Sequence, residues 1–338
     1  MMIIAALTSG VAGRLADKIG RKTVLITGLT LLALGFGLAG ASGHSVLFFV
    51  FLGLTGVGYG FTTPSLYAIM SDLLPNRRGF GASLVSVAYG IGGAIGAVLA
   101  SRLTALFGWR AAFVTVGLIA AVDMLLQAFW VRSLRSRDST THTGSFRQAL
   151  SLSILILAIA EFFGGSVFWS SAAWTPTLLR TEKALTLQET GWVMSVLSVA
   201  NMIGSFSLGS LSDRFGRKRV IFLSAIPGAV AALVVFYWLN SFLVIAMGIF
   251  VFGMLKASVP ALVVALAQET APPGNAGTAS GIIMALHYSS GVVAPLITAQ
   301  MITTSGDIVW AMILATSGPL ILFGSLILAV CEGARRPI

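Results

Sequence analysis

The sequence predicts an all-α, polytopic membrane protein made of two related halves. Three observations carry that prediction. The first is composition: of 338 residues, 57% are hydrophobic and only 9% are charged, with a mean hydropathy of +0.94. A soluble domain carries about 25% charged residues. The second is a set of ten apolar runs, each long enough to cross about 30 Å of hydrocarbon. The third is a repeat. The segment Gly-Arg-Leu-Ala-Asp-Lys-Ile-Gly-Arg-Lys at 13–22 returns as Gly-Ser-Leu-Ser-Asp-Arg-Phe-Gly-Arg-Lys at 209–218, 196 positions later. Pro64 and Pro260, and Gly81 and Gly277, keep the same offset.

Taken in order, the runs fall at 24–42, 46–70, 81–101, 110–131, 150–172, 191–209, 220–239, 242–267, 280–303 and 308–331. The opening stretch 1–12 rises only about 18 Å as a helix, too short to cross. The segment 132–149 is polar, Ser/Thr-rich and basic. It is expected to be a cytoplasmic linker between an N-terminal bundle at 1–131 and a C-terminal bundle at 150–338. Alternating sides from the first charged hairpin puts sixteen Arg/Lys on one face and four on the other. That bias predicts a plasma (inner) membrane protein with both hairpins and the C-terminus in the cytoplasm.

Several function classes are excluded. The net charge of +10 sits in short loops between apolar runs, the pattern of membrane orientation and not of nucleic-acid binding. One cysteine, Cys331, allows no internal disulfide, and the histidines His44, His142 and His287 have no metal-ligand spacing. There is no phosphate-binding P-loop and no cluster of catalytic polar groups at one membrane face. No enzyme activity, cofactor or metal is expected, and the glycine stripes Gly53/56/58/60 and Gly90/92/93/96 suit close helix packing in lipid.

Four ionisable groups stand inside the runs, where each costs about 2.5–3.5 kcal/mol: Asp123, Glu161, Lys256 and His287. At 1.5 Å per residue, Glu161 and Lys256 each lie about 16 Å from the cytoplasmic ends of their helices. They are expected to share a polar site at mid-membrane. There Lys256 binds an anionic group and Glu161 carries a proton or serves as counter-ion; a static ion pair is the alternative. Asp123 has Gln127 one turn away as a partner. His287, about 10 Å into its helix, carries two readings: a coupling group that titrates near neutral pH and, ahead of it, a hydrogen-bonded structural histidine. Trp169, Trp174 and Trp192 are read as an interfacial belt, and Tyr59 and Tyr67 as candidates for an inner wall.

The doubled segment 13–22 and 209–218, together with Pro75-Asn76-Arg77-Arg78-Gly79 and Gly108-Trp109-Arg110-Ala111-Ala112-Phe113, resembles the major facilitator superfamily along essentially the whole chain. The resemblance implies two pseudo-symmetric six-helix bundles and secondary transport by alternating access. It also implies a small-molecule substrate, a coupling ion that is most often the proton, and a monomer in the bilayer. In that family the first, fourth, seventh and tenth helices line the path, which assigns Glu161 to the seventh and Lys256 to the tenth. The motif residues Gly13, Asp17, Gly20, Arg21 and Lys22, with Gly209, Asp213, Gly216, Arg217 and Lys218, would then form a gate. Asp17 is expected to face the helix start near Gly277–Ser280 and Asp213 the one near Gly79–Ala82. Leu52 stands where the family's fourth helix carries an arginine, so no proton-transfer role passes to that position. The family's twelve-helix pattern places a counterpart of 150–172 before Met1. The sequence is therefore expected to lack a first helix and part of a second, leaving ten full spans and one partial one. An organic anion or sugar acid is the expected cargo. The rivals are a drug-type proton antiporter and a truncated remnant that does not transport.

Overall fold

The computed structural model describes residues 1–130, 150–257 and 259–330. The expected linker at 132–149 lies outside these residues. The described residues form twelve helices and no strand: α1 Met2–Ile19, α2 Arg21–Ala41, α3 Ser45–Leu73, α4 Arg78–Phe107, α5 Trp109–Trp130, α6 Leu152–Thr181, α7 Leu187–Phe215, α8 Arg217–Tyr237, α9 Phe242–Lys256, α10 Ala261–Thr270, α11 Ala276–Ser305 and α12 Ile308–Ala329. Ten stretches are long and apolar enough to cross a membrane, α9 and α10 counting together as one.

The repeat holds in three dimensions. Shifted by 196 positions, α2 coincides with α8, α1 ends where α7 ends, and α4 and α5 fall on α11 and α12 within a few residues. Within the first half α2 packs on α3 and α5; within the second, α6 lies against α11 and α12, and α9 against α7 and α8. The most extensive contacts between the halves run along α1 with α11 and α4 with α7, and α3 on α11 and α4 on α10 add to them.

The helix ends follow local chemistry. Thr186 and Glu189 form a reciprocal capping box at the start of α7. Asp307 accepts from the backbone N–H groups of Val309 and Trp310 at the start of α12, and Gly306 closes α11 in the left-handed region.

Two expectations need correction. The charged segments are not loops. Residues 13–19 complete α1 and 209–215 complete α7, and the chain turns on one residue each, Gly20 (φ 102°, ψ 139°) and Gly216 (φ 91°, ψ 137°). Only glycine adopts that backbone region without strain, so one residue suffices to end one helix and start the next. Gly216→Ala is expected to cost about 1–3 kcal/mol. It should lower the detergent melting temperature read by size-exclusion fluorescence; an unchanged melting temperature refutes the assignment.

The second correction concerns the run 242–267, which is two helices. Pro260 has no N–H for the Lys256 carbonyl and its ring crowds that oxygen. The chain instead turns through Val259, whose N–H reaches the Lys256 carbonyl at 3.3 Å, before α10 begins. Pro64, its counterpart in the repeat, stays inside the unbroken α3.

Candidate functional site

The ionisable groups of the second half converge between α6, α9 and α11. Glu161 on α6 is fully buried and His287 on α11 is 5% exposed. His287 Nδ1 lies 2.7 Å from Glu161 Oε1. The other carboxylate oxygen, Oε2, is buried without a hydrogen-bond partner. Gly165, one turn beyond Glu161, leaves the room His287 occupies: a methyl there would stand 3.0 Å from Nδ1.

Glu161 thus pairs with His287, and the static ion pair of Glu161 with Lys256, the alternative expectation, is not formed among the described residues. Lys256 is the last residue of α9 and is 6% exposed. Its ammonium stands 4.9 Å from the centre of the Phe168 ring and 5.5 Å from that of Phe252. Among the described residues it forms no ion pair or hydrogen bond. Two ring faces return at most about 2 kcal/mol each to a desolvated cation, against an insertion cost of about 2.5–3.5 kcal/mol. The cation is tolerated, and it still has no counter-ion.

Phe168 connects the two groups, since its ring centre is also 5.9 Å from the His287 ring. Trp169 packs beside Phe168 at 5.2 Å and against His287 at 5.8 Å, and donates from Nε1 to the His287 carbonyl. The belt reading of Trp169 is thus corrected. Helix α6 continues to Thr181, so Trp169 sits about three turns inside it and not at its end. Trp174 likewise turns inward, its Nε1 donating to the Pro295 carbonyl, while Trp192 stays on the outer surface, 61% exposed.

The first half contributes a tyrosine wall. Tyr59 on α3 packs on Tyr288 of α11 at 5.3 Å and on Tyr89 of α4 at 6.2 Å. Tyr89 shares a hydrogen bond with Thr63 at 2.8 Å, and Tyr67 one with Ser86 at 3.3 Å. The site thus spans both halves. Asp123 does not join it: its carboxylate accepts from Gln127 on the same helix at 2.9 and 3.1 Å. Phe168, Trp169, Phe252, Tyr89 and Tyr288 are members that the sequence reading missed. Phe168 lies seven residues after Glu161 and Phe252 four before Lys256, spacings that share a helix face.

A second constellation joins the halves at the end bearing the charged turns. Asp17 accepts from the backbone N–H groups of Gly277 and Thr278 at 2.9 and 2.7 Å, and from the Thr278 hydroxyl at 2.8 Å. Asp213 accepts from those of Gly79 and Phe80 at 3.1 and 3.0 Å. Each carboxylate thus caps a helix of the opposite half, α11 and α4, where exposed N–H groups and the helix dipole favour negative charge. Gly13 and Gly209 permit the approach. A methyl on Gly13 would meet the Gly277 carbonyl, and one on Gly209 would stand 2.6 Å from Ser83 Cβ.

Salt bridges tie each capping carboxylate down. Arg217 bonds Asp213 at 3.1 Å and holds Glu269 through two bonds of 2.6 Å. Arg21 pairs with Asp72, donates to the Ala68 carbonyl at 2.5 Å, and stands 3.9 Å from Asp17. Lys22 donates to the Ala128 carbonyl at 2.6 Å and Lys218 to that of Val330.

An open apolar groove of about 660 Å³ between α1 and α3, lined by Ile4, Phe49, Gly53 and Val57 among others, holds no ionisable group. It is separate from both constellations.

Comparison with known proteins follows the same lines. The family described as Major Facilitator Superfamily matches residues 1–295 and 154–337. The 3-(3-hydroxy-phenyl)propionate transporter of Escherichia coli (strain K12) is 28% identical over 335 residues, covering 97% of this chain and 82% of that protein. The benzoate transport protein of Acinetobacter baylyi is 23% identical, covering 86% of this chain and 71% of its own length. Among solved structures, the E. coli fucose:proton symporter superposes with a TM-score of 0.78 at 17% identity, over 98% of this chain and 90% of that one. This last likeness is one of fold.

Proposed function

The chain belongs to the major facilitator superfamily, a multi-pass membrane transporter and not an enzyme, and from that premise we propose that its cargo is a small organic anion with an aromatic ring. The observation that carries this reading is Lys256, a buried ammonium without a counter-ion among the described residues. An anion supplies the charge that the site lacks. The surrounding Phe168, Trp169, Tyr59 and Tyr288 suit a flat ring, because aromatic pairs gain about 0.5–1.5 kcal/mol beyond simple burial. The two relatives named above, one for a hydroxyphenylpropionate and one for benzoate, support the same chemistry.

Movement follows alternating access, with the halves rocking about this site and a proton gradient as the driving force. The two carboxylate caps serve as the gate, holding one end shut until cargo arrives at the other. The excess of basic residues beside the turns supports a cytoplasmic position for that end in a plasma-membrane protein. It acts as a monomer.

The test is uptake of labelled benzoate and 3-phenylpropionate into proteoliposomes holding the purified chain. Both are expected to enter faster than in protein-free vesicles and to compete with each other. Transport of lipophilic cations instead, with neither carboxylate competing, overturns the reading. Trp169→Ala is expected to raise the KM for benzoate about three- to tenfold and to leave that for an aliphatic carboxylate such as butyrate within twofold. Equal shifts for both would deny Trp169 a ring-binding role.

A further inference from the structure

We propose that the Glu161–His287 pair is a proton-binding site that takes up one proton for each anion bound at Lys256. The proposal rests on the anion reading above and deepens it. Its basis is the arrangement of charge. Glu161 is fully buried, and only one of its two oxygens is satisfied, by His287 Nδ1 at 2.7 Å. Lys256 is nearly as buried and touches only rings. The Phe168 ring neighbours both Lys256 and the pair, its centre 4.9 Å from the Lys256 ammonium and 5.9 Å from the His287 ring.

With His287 neutral, this space holds one carboxylate and one ammonium, and the charges sum to zero. A monoanion arriving at Lys256 leaves one negative charge in excess, in surroundings where uncompensated charge is costly. A proton on the pair restores the balance. It lies between Oε1 and Nδ1 and belongs to both groups. The other ionisable groups cannot supply it without breaking bonds already made. Tyr67 of α3, hydrogen-bonded to Ser86, is a phenol and already protonated at neutral pH. Tyr59 and Tyr288 are likewise neutral phenols. Among the described residues, the other carboxylates of α6 and of the helices packed against it sit at helix ends: Asp213 and Glu269 at one membrane face, Glu182, Glu189 and Asp307 at the other. Cargo and proton then cross together, and for a monoanion the cycle moves no net charge.

The experiment is isothermal titration of the purified full-length chain with benzoate, between roughly pH 5.5 and pH 8, where benzoate stays ionised. Buffers of different ionisation enthalpy report protons taken up. For the wild type, affinity is expected to fall as pH rises, approaching about tenfold per pH unit, with close to one proton taken up per benzoate. Glu161→Gln should flatten the pH dependence and abolish the uptake. His287→Gln should do the same, and it carries the test if Glu161→Gln does not fold. Benzoate bound by the wild type with no proton uptake overturns the proposal, as does a wild-type pH slope in either folded variant. A wild type that binds no benzoate at all overturns the cargo reading as well, so the two failures are distinct.

Discussion

Lys256→Ala is expected to abolish the accumulation of aromatic carboxylates while leaving the protein folded. Removing one member of a desolvated charge pair costs about 2–5 kcal/mol, which is at least about a 30-fold loss of affinity. The fold should survive because the ammonium contributes little to it. The Phe168 and Phe252 rings roughly offset the cost of burying the charge, so its loss leaves the unliganded protein about as stable. Lys256→Ala is therefore expected to keep the detergent melting temperature near that of the wild type while destroying uptake. Lys256→Arg keeps the charge but spreads it over a wider plane, and it should fall between the two. Uptake by Lys256→Ala within threefold of the wild type would show that the ammonium is structural.

The second large effect concerns the carboxylate caps. Hydrogen bonds to a charged acceptor contribute about 1.5–3 kcal/mol each. Asp17 accepts three across the boundary between the halves, and Asp213 two. Asparagine in their place keeps the shape and one acceptor but removes the charge that the helix ends attract. Asp17→Asn with Asp213→Asn is expected to weaken the closed arrangement by about 2–4 kcal/mol in total. A shift of about 5.5 kcal/mol would invert a 99:1 population, so the double variant should open the junction in a readily measured fraction of molecules.

Ser9 reports this directly. It is fully buried, and its carbonyl lies against Gly281 of α11. In a Cys331→Ser background, Ser9→Cys should resist a charged maleimide and should react at least about tenfold faster once both aspartates are replaced. An unchanged labelling rate would mean that the helices, and not the caps, keep this end shut.

Much of the architecture is legible in the sequence because lipid imposes it. Backbone groups in hydrocarbon must bond within their own helix, so length and apolarity nearly determine the spans. The pairing of Asp17 and Asp213 with helix starts in the opposite half was reached through family resemblance, on residues whose spacing is doubled in the chain. The break after Lys256 was not legible. Pro64, Pro176, Pro227, Pro295 and Pro319 all lie inside continuous helices, so proline alone does not separate a kink from an end. The partner of Glu161 escaped for a related reason. Depth along two helices gives heights in the membrane but not the rotation of each helix about its axis. Lys256 matched Glu161 in height and His287 was not paired with it, and only packing reveals which side chain meets the carboxylate. Trp169 was misplaced because α6 runs nine residues beyond its apolar core through Thr175, Thr177 and Arg180, which hydropathy reads as loop.

The single-residue turns at Gly20 and Gly216 have a mechanical corollary. A joint one residue long has no slack, so α1 with α2, and α7 with α8, form two stiff brackets whose arms cannot slide or swivel independently. Pulling α1 away from α11 drags α2 and everything seated on it. One extra residue at either joint would rotate the following arm by about 100° and present its lipid-facing side to its own bundle.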